Sequence, residues 1–492
     1  MKHTTLAIAT LVLAHSTPRI VQAACDDDCA DETKKCAPED CTGPARNKML
    51  VRLEAYANQV KPLAERVLDD GRTVRTIEYE DDYIDVLMPV SSDASENELG
   101  EIIAWYPPTE LIVEARESKN SFVAKRLLDI EGLVRVRLGE NLWLYTAPKP
   151  IAPATFVARQ RAAAKDGVLV VRNERFLVQE AVEPPPAAAS ACGSYPCHLE
   201  MMRVKEARNE LSKTKVVDIA VIDTAVAKLD DYEYEIARSE IDCLDKSCEP
   251  RNYTDGDDHG TGVVSLLVGK NVGVARGFAK VVPVRVRNSG TTIDTKNLLR
   301  GVDYVGQEKI PIAVMPFLGR LEIYNNKSMP TAARLVHKRI KKYADVTLFV
   351  TAAGNTAVKV DCAANLHRPG SFFAKNILNV AGSTPQFKRT PCTAHSKKYV
   401  HTAAPGSCVC YLSRAGKYMV SAGTSWAAPL AAGLGALVRQ RTSPTPNGLR
   451  TILVESSRKR ECFKTYVASA GVVDAVCAIK GTATKRRRCA KK

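Results

Sequence analysis

The sequence predicts an α/β domain built on a mainly parallel sheet, preceded by a smaller α+β unit. Three observations carry this. Downstream of residue 192, short apolar runs alternate with helical patterns, the signature of strands crossed over by helices. Upstream, residues 110–182 read as βαββαβ. Between the two, Glu183, Pro184, Pro185 and Pro186 and the alanines after them break the chain; prolines remove backbone donors and favour an extended course, so 183–191 reads as a linker. At 492 residues, with 45% hydrophobic and 25% charged residues, the chain can hold two or three domains and lacks the composition of a disordered one.

Taken in order, Lys2 and His3, an apolar run over 6–14 and Val21, Gln22, Ala23 give residues 1–24 the pattern of a cleavable secretory leader. The run falls short of the roughly 20 apolar residues that span a bilayer, and no later stretch approaches that length. The expectation is a secreted or periplasmic protein with no membrane span. All 15 cysteines follow the leader, so export makes disulfides the default reading. Residues 25–45 form a Cys-rich acidic segment: Cys25, Cys29, Cys36 and Cys41 stand among seven acids and two lysines, without histidine, which suits a two-disulfide knot better than a zinc site. Cys192 with Cys197, and Cys243 with Cys248, are close enough in sequence to bridge locally. Cys408 and Cys410 suit different partners.

Residues 46–182 form the unit ahead of the linker. Its first part reads as a long helix after 46, two strands around 72–89 and a short helix near 95–105. Its second part reads as strand 111–114, helix 121–128, strands 133–138 and 142–147, helix 152–164 and strand 168–172, a ferredoxin-like order. At the other end, the formal net charge of +15 concentrates in the tail 481–492. No aromatic residue interleaves those basic ones for stacking, so the tail reads as a solvated end and no nucleic-acid partner is expected.

Within the larger domain, the run 216–222 is apolar enough for a buried parallel strand and ends at Asp223. Carboxyl ends of such strands host ligand sites. His259 follows Asp257 and Asp258 where a loop enters an apolar helix. Of the eight histidines it alone precedes a Gly-Thr-Gly run, which would let a substrate approach the ring. A further strand over 345–350 leads to Asn355, an uncharged donor suited to an oxyanion. Finally, Gly423, Thr424, Ser425 and Trp426 place a serine between a turn-forming glycine and an alanine-rich helix, where first-turn N–H groups favour developing negative charge. Each residue alone is ordinary: Asp and Asn suit turns, and Ser is a preferred helix cap.

Together, in the order Asp223, His259, Asn355, Ser425, these blocks resemble those of the subtilisin-like serine proteases. The resemblance covers roughly 197–479. It extends to His198 and Leu199, to Ala403, Ala404, Pro405 and Gly406, and to Gly471, Val472, Val473, Asp474 and Ala475. It implies a subtilisin-like three-layer α/β domain over 192–480 and a serine endopeptidase working through an acyl-enzyme. Ser425 would be the nucleophile, His259 the general base, Asp223 its orienting acid and Asn355 the oxyanion-hole donor. It further implies that 46–182, with its ferredoxin-like part at about 110–182, is a prodomain that assists folding and inhibits the enzyme, so that the protein is made as a zymogen. Partners would then be protein or peptide substrates and the chain's own prodomain. No cofactor is required for this chemistry; the family often carries structural calcium, whose ligands the sequence does not assign.

Chain order removes two other hydrolase classes. An α/β-hydrolase needs histidine after its serine, and none follows His401; Ala427 also breaks Gly-x-Ser-x-Gly. A chymotrypsin-like enzyme needs an all-β fold. The alternative of another class is an inactive subtilase-fold protein that binds peptides or partners.

The chain departs from the family at Ala225, which replaces a glycine, and at Trp426, which follows the nucleophile. It departs again at Met315, Pro316, Phe317, Leu318 and Gly319, which replace the Ser-Leu-Gly strand that pairs with substrate. Phe317, Leu318 and Gly319 are therefore the expected substrate-binding residues, with an altered pocket. Residues 223–258 hold twelve acids against four basic residues, which reads either as a solvated loop or as an acidic rim that favours basic residues near the scissile bond or binds calcium.

Overall fold

The computed structural model describes residues 60–67, 73–79, 82–88, 101–115, 130, 132–178, 196–212, 215–232, 235–237, 239–244, 247–253, 256–287, 292–320, 332–360 and 368–481. The expected leader, Cys-rich segment, linker, helix 121–128 and Cys192 lie outside these residues, as do 482–492 of the tail.

Two antiparallel sheets form the N-terminal part. In the first, β1 (Ala64–Val67), β2 (Thr73–Tyr79), β3 (Asp82–Leu87) and β4 (Glu101–Tyr106) pair in sequential order. Sequence analysis expected a helix near 95–105, but 101–106 form a strand. Ile102, Ile103 and Trp105 belong to residue types enriched in strands. Pairing with β3, from Glu101 opposite Leu87 to Tyr106 opposite Tyr83, satisfies the backbone through a partner that a local window does not contain.

The second sheet holds β5 (Glu110–Glu114), β6 (Val134–Gly139), β7 (Leu142–Thr146) and β8 (Leu169–Arg172), with α1 (Pro153–Lys165) between the last two. Its order, β6-β7-β5-β8 and antiparallel throughout, is that of a ferredoxin-like unit. Alternate residues of β5 serve two purposes: Leu111 and Val113 pack with Tyr145 and Phe156, while Ile112 turns to the core of the next domain.

After β9 (Arg175–Val178), α2 (Cys197–Met201) and α3 (Val204–Asn209) lead into β10 (Val217–Asp223), β11 (Glu240–Asp242) and β12 (Glu249–Arg251). Then come α4 (Asp258–Val268), β13 (Ala279–Arg285), β14 (Thr292–Asp294), α5 (Thr295–Gln307), β15 (Ile312–Met315), β16 (Gly319–Arg320) and α6 (Ala332–Lys342). The chain continues through β17 (Leu348–Ala352), β18 (Ile377–Ser383), β19 (Thr402–Pro405), β20 (Val409–Leu412), β21 (Tyr418–Ser421), α7 (Thr424–Arg441) and α8 (Pro446–Glu455). It ends on β22 (Arg458–Lys459), β23 (Gly471–Val472) and α9 (Ala475–Gly481).

Ten of these strands form one sheet in the order β12-β11-β13-β10-β15-β17-β18-β19-β23-β22. Every pairing is parallel except those at the two ends. This is the mainly parallel sheet that the sequence predicts. Because strand side chains alternate between faces, Ile219 and Val221 of β10 enter one core while Ala220 and Ile222 enter the other. The first core holds α4 and α7, and the second holds α5 and α6, which gives three layers. Cys243 and Cys248, at the turn from β11 to β12, form the local disulfide that their spacing allowed.

Asp474 ties the ends of the domain together. It is wholly buried; its carboxylate takes both Nε (2.9 Å) and Nη2 (2.6 Å) of Arg203, receives Arg458 Nε at 3.1 Å, and accepts the Cys477 N–H at the start of α9. Replacing it leaves two guanidinium groups facing an uncompensated cavity, a type of loss worth about 3 kcal/mol. Asp474→Ala should therefore lower the urea midpoint markedly, and an unchanged midpoint would show that the two arginines find other acceptors.

Candidate active site

On the sheet, the chain runs from β10 to β11 and β13 on one side and then crosses back to β15 on the other, so the strand order reverses at β10. A crevice opens at such a reversal, at the carboxyl ends of the strands. Asp223 is the last residue of β10, and Asn355 follows β17. Each of the other two expected residues stands second in a helix, His259 in α4 and Ser425 in α7.

Asp223 is fully buried, and its Oδ2 lies 2.8 Å from His259 Nδ1. Its Oδ1 accepts the Thr224 N–H at 2.7 Å, with Arg287 Nε at 3.6 Å. Burial pushes the carboxyl pKa up. The His259 ring and its hydrogen bond, the Arg287 guanidinium and the Thr224 amide outweigh that and hold Asp223 below the usual carboxylate range. An ionised Asp223 can only accept, so Nδ1 of a neutral His259 carries the proton and Nε2 is left as an acceptor. Asp257 positions the histidine from the backbone side, since its Oδ1 caps α4 by accepting His259 N–H at 2.9 Å.

Ser425 sits between two contacts. On one side, the Thr424 N–H and hydroxyl both donate to Asn355 Oδ1, at 2.9 and 3.0 Å, while Gly354 N–H donates to the same hydroxyl. These bonds fix the plane of the Asn355 amide and so the direction of its Nδ2 donors. On the other side, the Trp426 ring lies 5.4 Å from the His259 ring and stacks on Tyr411 at 4.4 Å. Gly423 precedes them at φ 153°, ψ 156°, a region essentially restricted to glycine, which lets β21 turn sharply into α7.

The glycines after His259 have a different purpose from the expected one. A Cβ on Gly262 would stand 2.6 Å from Tyr411 and 2.8 Å from Trp426, and one on Gly260 would stand 2.8 Å from Thr224 O. They make room for the protein's own aromatic pair and strand end rather than for a substrate. Thr424 and Arg287 are site residues that sequence reasoning did not single out. Thr424 lay within the quoted motif, whereas nothing local marks Arg287, which reaches Asp223 only through the pairing of β13 with β10.

The expected substrate strand is divided. Phe317 and Leu318 are buried, with Phe317 in the second core, while Gly319 and Arg320 form β16. β16 pairs with the chain's own β9, Gly319 opposite Val178, and the other edge of β9 pairs with β14. Residues 175–178 thus occupy the middle of a three-stranded sheet whose outer strands both belong to the larger domain.

Several of the described acids of 223–258 accept from local donors: Asp231 takes Lys270 N–H, Asp242 takes Arg251 and Arg285, and Asp258, itself exposed, takes Arg414 N–H. Among the described residues no group of three or more His, Cys, Asp or Glu side chains is arranged to hold a metal ion, so no calcium ligands are assigned. Likewise, no described helix is long and apolar enough to cross a membrane.

This combination of a largely parallel sheet, two helical layers and an Asp–His pair at the crevice defines the class of the subtilisin-like folds. A model of the subtilase family matches residues 214–475, just over half of the sequence, and the chain belongs to that family. It is 29% identical over 209 residues to a subtilisin-like protease of Coccidioides posadasii, covering 41% of this chain and 48% of that protein. With the minor extracellular protease Epr of Bacillus subtilis it shares 24% over 258 residues, 51% of this chain and 36% of the relative. The chain thus spans half or less of these relatives' own lengths. Among solved structures, the epidermin leader peptide processing serine protease of Staphylococcus aureus superposes with a TM-score of 0.59 at 16% identity, over 77% of this chain and 99% of its own.

Near the site, Glu240 is buried with Oε1 on Val226 N–H at 2.8 Å, and Oε2 has no partner among the described residues. Burial pushes its carboxyl up to about 7, against the opposing pull of Val226 N–H and Arg285. The folded state therefore holds a proton that the unfolded chain, near 4.3 as a free glutamate, has already released. That stability is present below the unfolded value and lost as pH rises toward 7. The melting temperature should fall between pH 5 and 8, and Glu240→Gln should flatten the fall; an equally steep fall would clear Glu240 as its source.

Proposed function

We propose that the protein is a secreted serine endopeptidase, made as an inhibited zymogen, that cleaves peptide bonds with Asp223, His259 and Ser425. The observation that carries this reading is the 2.8 Å contact of His259 Nδ1 with a wholly buried Asp223, next to a helix start that presents Ser425 beside the histidine's aromatic neighbour. With Nδ1 tied to Asp223, Nε2 of His259 takes the Ser425 hydroxyl proton as Oγ attacks the peptide carbonyl. The imidazolium formed is stabilised by the ionised Asp223 and then gives the proton to the leaving amine. Water repeats the sequence on the acyl-enzyme. The oxyanion of each tetrahedral intermediate is met by Asn355 Nδ2, oriented through Thr424, and by the Ser425 N–H at the positive end of α7.

Residues 46–182 are the proposed inhibitor. Two contacts support this: β9 takes the strand-pairing edges of Gly319 and of β14 that a substrate backbone would use, and the ferredoxin-like sheet is fastened to α6. The fastening runs through Lys338 to Glu114, Lys342 to Glu140 at 2.7 Å and Arg339 to the Glu140 carbonyl. Export is supported by the leader-like residues 1–24, by the Cys243–Cys248 disulfide and by the extracellular Bacillus relative.

Casein hydrolysis and conversion of the full chain to a shorter form should both disappear in Ser425→Ala. Asn355→Ala should lower turnover about 10²- to 10³-fold and, because it leaves the buried Thr424 N–H without its acceptor, should also lower the melting temperature. Equal hydrolysis and processing in wild type and Ser425→Ala would sink the proposal.

A further inference from the structure

Asp294 ends β14 and stands directly opposite Arg175 in the antiparallel pairing with β9. Arg175 Nε donates to Asp294 Oδ1 at 3.2 Å, and Asp82 of β3 takes Nη1 of the same guanidinium from the other side. The two carboxylates differ in where they belong. Asp82 lies in the N-terminal sheet, whereas Asp294 is part of the larger domain and remains with it once the N-terminal part is removed. The side chains of Arg175 and Asp294 are 27% and 22% exposed, so solvent screens the pair less than it would a surface pair. Lys296 approaches Asp294 Oδ2 to 3.9 Å while its Nζ is held by both oxygens of Glu110, at 2.8 and 2.9 Å; Glu110 belongs to β5 and leaves with the N-terminal part, so in the processed enzyme Lys296 is the cation with which a basic substrate residue competes for Asp294.

We propose that Asp294 is a specificity-determining residue that reads a basic side chain, arginine above lysine, on the bound peptide three residues before the one that pairs with Gly319. The inference rests on the reading above, in which β9 follows the path of a substrate. Arginine is favoured because its planar fork keeps an N–H on the carboxylate at a fixed angle, which the ammonium of lysine does not. A neutral residue there leaves Asp294 facing an uncharged surface. Burial already pushes the Asp294 carboxyl up, with Arg175 and Lys296 opposing it. The acid that meets a basic substrate residue is therefore in the cleft strand, not in the acid-rich stretch 223–258, several of whose carboxylates bind local donors.

The test uses the processed wild-type enzyme and its Asp294→Asn variant, with quenched peptides spanning residues 172–191 that carry Arg, Lys or Ala at position 175. In wild type, kcat/KM should be about five- to tenfold higher for Arg than for Ala, with Lys between them, and the ratio should fall to about one in Asp294→Asn. A wild-type ratio near one, or a ratio that survives Asp294→Asn, overturns the proposal while leaving the peptidase reading intact. If neither casein nor any peptide is cleaved, the peptidase reading fails and the contact is judged on the intact Ser425→Ala chain. There Asp294→Asn should speed amide exchange at Leu177 and Val178 several-fold, and should add nothing once Arg175 is alanine. An equal acceleration in both backgrounds overturns the contact.

Discussion

The burial of α7 is the constraint on which the rest depends. From Thr424 to Val438 its residues are buried on every side, packed with β15, β17, β18 and β19 and with α4. A helix apolar all round has no face to turn to water, so it must be enclosed. Sliding it by one residue would rotate each side chain by about 100° and dismantle the Thr424–Asn355 and Trp426–His259 contacts at once. The close fit of Gly433 against Val274, where a Cβ would stand 2.9 Å from the valine, adds to that lock. The first turn of α7 consequently has one location, and Thr424, Ser425 and Trp426 are delivered to Asn355 and His259 as a unit.

Charge at the site is managed by enclosure as well. Asp223 has lost its water entirely, and its two oxygens are instead shared among an imidazole, a backbone amide and a guanidinium. Such a carboxylate is ionised because its neighbours require it, which fixes the tautomer of His259 without any motion. The same economy applies to Asp257, whose Oδ1 caps α4 and also accepts from Thr224, joining the helix that carries the histidine to the strand that carries the aspartate. Two elements far apart in sequence are thus registered through one oxygen.

The cleft is built from short strand edges. β14 and β16 would each present unpaired backbone groups, which proteins rarely leave open. β9 fills both, so the segment that satisfies these edges takes the pairing positions that the proposed substrate would use. Ion pairs from α6 to Glu114 and Glu140 join the ferredoxin-like sheet to the larger domain. Latency and completion of the fold are, on this view, the same set of contacts.

Much of this was legible in the residues themselves. The apolar runs of β10, β15 and β17 carry their own burial, and the serine between Gly423 and an alanine-rich helix carries its own local geometry, because period and turn chemistry act over a few neighbours. The order Asp223, His259, Asn355, Ser425 sufficed for the family. Contacts between elements were not legible. The strand at 101–106 depends on β3, the role of Gly262 on the Tyr411–Trp426 stack, the partner of Arg175 on β14, and the approach of Arg287 to Asp223 on the pairing of β13 with β10. Sequence alone determined which groups the chain possesses and which local shapes they take. Only the tertiary structure decided which of them meet, since burial and hydrogen-bond partners are set by segments far apart along the chain.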